Sequence, residues 1–121
     1  EQEFIVDGEH YMATLTVETI VQAGLEPAAL VAAAVGGDEF ANTGREFFRI
    51  NNGGGGDITV TVNSQVNCSY GFDHNEAVVV TAGEQRFIGP FPTSRFNDAG
   101  GKVQLTYSGV TTVTIGVYKL P

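Results

Sequence analysis

Tryptophan is absent from these 121 residues, and cysteine and methionine each occur once. The lone Cys68 has no second cysteine to join, which excludes a small secreted scaffold held by internal disulfides. Basic residues are also scarce: six Lys and Arg stand against 14 Asp and Glu, for a net charge of −8. Nucleic-acid binders release counterions by placing Lys and Arg on phosphates, so this balance argues against nucleic acid as a partner. It equally disfavours an anionic membrane surface. No run approaches the ~20 apolar residues of a membrane-spanning helix. The opening stretch "EQEFIVDGEHY" has neither a basic region nor an apolar core, so no secretory signal is expected. No repeat of solenoid length is present.

What the chain does have is glycine, 16 residues of it, with valine and threonine in short alternating runs. That vocabulary belongs to strands on a half-buried surface. The length suits a single domain with one modest core. In "DITVTVN" (57–63), Ile58, Val60 and Val62 should face inward, with Thr59 and Thr61 outward. "REFFRIN" (45–51) precedes it across "NGGGG", which predicts a hairpin with a glycine loop. "EAVVVTA" (76–82) and "QRFIG" (85–89) flank Gly83-Glu84, a second tight reversal. "KVQLTYS" (102–108) and "TTVTIGVYKL" (111–120) supply the last strands, the final one through Val113, Ile115 and Val117. "TLTVETI" (14–20) alternates as well. Between Val21 and Gly37 the pattern breaks, and two readings stand. One is a short Ala-rich helix with Pro27 in its first turn and Gly36-Gly37 at its end; the other is an irregular segment lying across a sheet. About seven or eight short strands predict an all-β fold, a small β-sandwich of jelly-roll or immunoglobulin-like outline over residues 13–121. Residues 1–12 read as an N-terminal arm, or as a hairpin about Asp7-Gly8.

Residues 36–40 spell "GGDEF", the signature of cyclases that join two GTP molecules. In those enzymes the pentapeptide sits in a βαβ-rich domain with a further metal-binding acid upstream and helices carrying base and phosphate contacts. Here strand follows strand, so the word lacks its context. Gly36-Gly37 should turn the chain, Asp38 should cap it locally, and Phe40 should enter the core. The glycine run 53–56 is followed by Asp57 and a strand, without the helix N-terminus or Lys that a phosphate loop needs. Cys68 and His74, near Asp73, lack an orienting third group for nucleophilic catalysis, and with His10 this pair lacks metal-ligand spacing. No carboxylate pair stands out for glycoside hydrolysis. Neither catalytic residues, nor a metal, nor a cofactor is therefore expected. The absence of tryptophan weakens a sugar-platform reading but leaves Tyr70 and Tyr118 as candidates.

The most distinctive text is "AGEQRFIGPFPTSRFNDAGGKVQLTYS" (82–108). Pro90 and Pro92 bracket Phe91, so "GPFP" should form a stiff crossover, with Phe91 and Phe96 pinning it to the end of the core. Asn97-Asp98 and Gly100-Gly101 should then turn the chain. Together with "GGDEFANTGREFFRINNGGG" and the Val-rich terminal strand, this text resembles small head proteins of tailed bacteriophages over roughly residues 14–119. The resemblance implies a small sandwich that decorates or cements the outer surface of the capsid. Its expected partners are the major capsid protein and further copies of itself, as a dimer or trimer, with no catalysis. It transfers no functional residue. A head–tail connector and a carbohydrate- or cell-surface-binding module are the competing functions. Within the arm, Phe4, Ile5, Val6 and Tyr11 are the expected partner-binding residues, acting by strand addition to a neighbour.

Overall fold

The computed structural model describes residues 12–66, 70–71 and 74–121. Strand alternation shapes it. Strand β5 (Glu46–Asn52) buries every second residue, with Phe48 and Ile50 fully enclosed. Strand β6 (Ile58–Val62) turns Ile58, Val60 and Val62 inward and its threonines outward, as expected. Val103 and Leu105 of β9 (Lys102–Tyr107) and Val113, Ile115 and Val117 of β10 (Val113–Lys119) complete the apolar interior. Six further strands frame these: β1 (Ala13–Thr14), β2 (Val17–Thr19), β3 (Val31–Ala32), β4 (Asp38–Ala41), β7 (Glu76–Val80) and β8 (Gln85–Ile88).

The strands form two packed sheets. Sheet A runs β1-β4-β9-β6-β7; sheet B runs β2-β10-β5-β8, with β3 also on β10. Within this β-sandwich, β3 to β6 pair with β10 to β7 in reverse order: β3 with β10, β4 with β9, β5 with β8, β6 with β7. All four pairings are antiparallel. A long ribbon folded back on itself and rolled into two sheets is the jelly-roll arrangement. Strands β1 and β2 are additions on the outer edges, each pairing in parallel, with β4 and β10 respectively.

Three sequence expectations are corrected by this topology. Strands β5 and β6 do not form a hairpin; they belong to opposite sheets, and the glycine loop arches between them. Strands β7 and β8 likewise reverse direction around Gly83 but part into different sheets. The buried Asn52 ties both arches together. Its amide donates to the carbonyls of Gly56 (2.8 Å) and Val80 (3.0 Å), while its Oδ1 accepts from the Gly54 N–H (3.1 Å). The Asn52 backbone also bonds Glu84 and Gly83, so the two arches hold each other across the sandwich end. The run 14–20 is not one strand either: it crosses from sheet A to sheet B, burying Leu15 at the crossing.

Between residues 21 and 37 the irregular reading holds, and no helix forms there. Gly24 adopts φ +105°, a left-handed conformation incompatible with helix, and the carboxylate of Glu18 accepts the N–H of Ala28. The segment lies over the outer face of sheet B. Leu30 comes so close to Gly116 that a Cβ there would stand 2.7 Å from its methyl carbon.

At the opposite end of the sandwich from the glycine loop, the "GPFP" crossover seats Phe91 in the core, as expected. Its ring stacks on Phe48 (centroids 5.8 Å, 16°) and also meets Phe40 and, edge-on, Phe96. A single helical turn, α1 (Thr93–Phe96), follows Pro92. Asn42 anchors the crossover, its amide donating to the Phe91 carbonyl (3.0 Å) and to Asn97 Oδ1 (2.7 Å).

Candidate functional site

The pentapeptide at 36–40 is absorbed into structure. Gly37 turns the chain at φ +98°, where a Cβ would stand 2.5 Å from the Leu105 carbonyl oxygen. Asp38 is 1% exposed; its Oδ2 accepts from the Tyr107 hydroxyl (2.6 Å) and the Ala34 N–H (3.2 Å). Burial, and next the hydrogen bond and charge of Asp38, push the Tyr107 phenol well above its ordinary range. Glu39 faces outward to Lys102 (3.5 Å) and the Thr14 hydroxyl (3.2 Å), and Phe40 is fully buried. A carboxylate enclosed this way cannot reach a nucleotide-bound metal.

Other acidic groups are similarly engaged. Glu46 is 2% exposed. Burial alone would raise its pKa, but N–H donors of Thr43 and Arg45 and the Thr43 hydroxyl outweigh it and hold the carboxyl below its ordinary value. Asp98 is held low in the same way: burial opposes, and the Lys102 N–H, the Gln104 amide and the Gly100 N–H prevail. Among the described residues no group of three or more His, Cys, Asp and Glu could hold a metal ion. Cys68 and Asp73 lie outside the described residues; the His74 carbonyl accepts from the Arg95 guanidinium. The expected partner-binding residues Phe4, Ile5, Val6 and Tyr11, and the turn at Asp7-Gly8, also lie outside the described residues. Of the two tyrosines considered for sugar binding, Tyr70 is 85% exposed, whereas Tyr118 is buried.

The most prominent unspent chemistry sits on the outer face of sheet B. Register places Phe47 opposite Tyr118 and Arg49 opposite Phe87. The Phe47 ring lies 5.8 Å from Tyr118 and 6.1 Å from Phe87, a continuous aromatic strip across three strands. Ile20, Leu25 and Pro27, from the segment laid over this face, wall a groove of about 370 Å³ above the strip. Phe87 is 68% exposed there. Arg49 also lines the groove, and its buried Nε has no hydrogen-bond partner among the described residues. Arg45 shares the outward parity of Phe47 and Arg49, so the outer face of β5 and its lead-in residue reads basic, aromatic, basic.

Sequence reasoning did not assemble this groove, because its residues come from four separate parts of the chain. One signal was available. In "REFFRIN" two adjacent phenylalanines cannot both face inward on a strand, so one had to be presented outward. In comparisons with known proteins, no family model, curated protein or solved structure matches the chain.

Proposed function

We propose that this chain is a non-catalytic adhesion subunit of a virion, a decoration or cement protein bound to the outer surface of a tailed-phage head. The observation that carries the reading is the aromatic groove on sheet B. An exposed apolar patch with a polar rim marks a surface built to meet another macromolecule. The acidic groups described above support it from the other side, since they are engaged in turns and caps rather than converging on a reacting centre. Net charge −8 favours an exterior position, away from packaged DNA. Jelly rolls serve as capsid and lectin modules, although the fold alone does not choose among roles.

In this reading the protein bridges the major capsid protein and copies of itself, and opposes the outward pressure of the packaged genome by adding buried area at subunit joints. Residues 1–12 act as the arm, with Phe4, Ile5, Val6 and Tyr11 as its contacts. Each buried apolar side chain contributes about 1.5–3 kcal/mol, offset in part by the ordering of the arm. Counting copies per purified particle is the direct test. Many copies spread over the shell support cement; about a dozen at one vertex would make it a connector; none would remove it from the virion. Glycan binding by the isolated protein, abolished at Tyr70, would favour a cell-surface-binding module instead.

A further inference from the structure

The basic–aromatic–basic row on sheet B has a counterpart in the chain's own first residues. Glu3, Ile5 and Asp7 alternate acidic, apolar, acidic, and Phe4 and Val6 supply apolar side chains between them. Arg45, Phe47 and Arg49 have the same spacing with opposite charge. In extended chains both outer pairs are four residues apart, about 13 Å, so the two rows match along their length. We infer that the groove on the outer face of sheet B receives residues 1–11 of a second copy of this chain. Glu3 and Asp7 lie against Arg45 and Arg49, and Ile5 covers Phe47.

Two observations favour this occupant. The Arg49 guanidinium lines the groove beside exposed aromatic surface, its Nε buried and without a partner among the described residues, and its charge suits a carboxylate carried on an apolar segment. Moreover, an arm of the same chain is poorly placed. Strand β1 runs parallel to β4 from Gly37 toward the Phe91 end, so it is entered from the glycine-loop end of sheet A. The groove opens on the other sheet near Phe47 and Tyr118, toward the Phe91 end. To reach it, an arm entering β1 from that end would have to double back toward the far end of the other sheet. A neighbouring copy meets no such detour, and reciprocal exchange of arms would produce a closed dimer.

This deepens the adhesive reading of the arm and depends on that reading, but not on the virion location. The test is sedimentation velocity on the purified full chain and on charge-reversed variants. Glu3→Lys with Asp7→Lys, and separately Arg45→Glu with Arg49→Glu, should each weaken self-association at least about tenfold. A chain carrying all four changes should recover it, which a merely misfolded variant could not do. Deletion of residues 1–11 should leave a monomer. A full chain that is monomeric at its highest soluble concentration would overturn the inference, as would association indifferent to either charge reversal or unrestored in the fourfold variant. Association with the expected charge dependence but no copies on particles would instead sink the virion reading alone.

Discussion

Replacing Phe91 with alanine probes whether the "GPFP" crossover is a true part of the core. The side chain is 4% exposed and touches three other aromatic rings, with Phe48 stacked at 5.8 Å. Removing a buried phenylalanine costs about 3–5 kcal/mol in lost transfer energy and residual cavity. Aromatic pairs add roughly 0.5–1.5 kcal/mol beyond buried area, which points to the upper part of that range. The cavity should relax little, because Asn42 holds the Phe91 carbonyl at 3.0 Å and keeps the crossover in place. For 121 residues a loss of about 4 kcal/mol corresponds to a Tm lowered by roughly 15 °C. Urea unfolding followed by circular dichroism would measure this as a lower midpoint at unchanged m-value. Phe87→Ala is the control, since that ring is 68% exposed and should change stability far less. A Phe91→Ala loss below about 1 kcal/mol would mean that the ring contributes no more than a surface residue and that the crossover is not part of the core.

Further predictions concern the turns and buried acids. Gly89→Ala should destabilise by more than about 2 kcal/mol in the same assay, because its φ of +129° excludes a side chain and a Cβ would stand 2.8 Å from that of Phe47. Glu46 and Asp98 are held below their ordinary pKa, so their contribution is present above the unfolded-state values and is lost as pH falls through the folded ones. Glu46→Gln should accordingly flatten the loss of stability on acidification, measured as unfolding midpoint against pH below about 4.5. Tyr107 has the opposite sign: its raised pKa gives stability that is complete below about 10 and declines above it. Tyr107→Phe should abolish that alkaline decline and cost about 1–3 kcal/mol at neutral pH, since Asp38 loses its phenol donor.

The alternation in "DITVTVN", "KVQLTYS" and "TTVTIGVYKL" was enough to identify strands and their inward faces, because side chains on a strand alternate with a period of two whatever the partner strand. Proline and glycine placement likewise located the turn at Gly37 and the crossover at Phe91, since both residues restrict or release backbone angles locally. Sheet membership was not local. Strand β6 arches into the other sheet instead of folding back on β5, and the arch is held by Asn52 reaching Gly56 and Val80, a contact between residues up to 28 apart in the chain. The stretch 21–37 shows the same division: its composition allowed a helix, and pairing of β3 with β10 together with Leu30 over Gly116 made it irregular. The aromatic groove belongs wholly to tertiary structure. Adjacent Phe47 and Phe48 announced that one ring must face outward, but only the packed sheets brought Phe47 together with Phe87, Tyr118 and Arg49. Periodicity is written in neighbouring residues, whereas a surface is made by strands that meet only after the chain has rolled up.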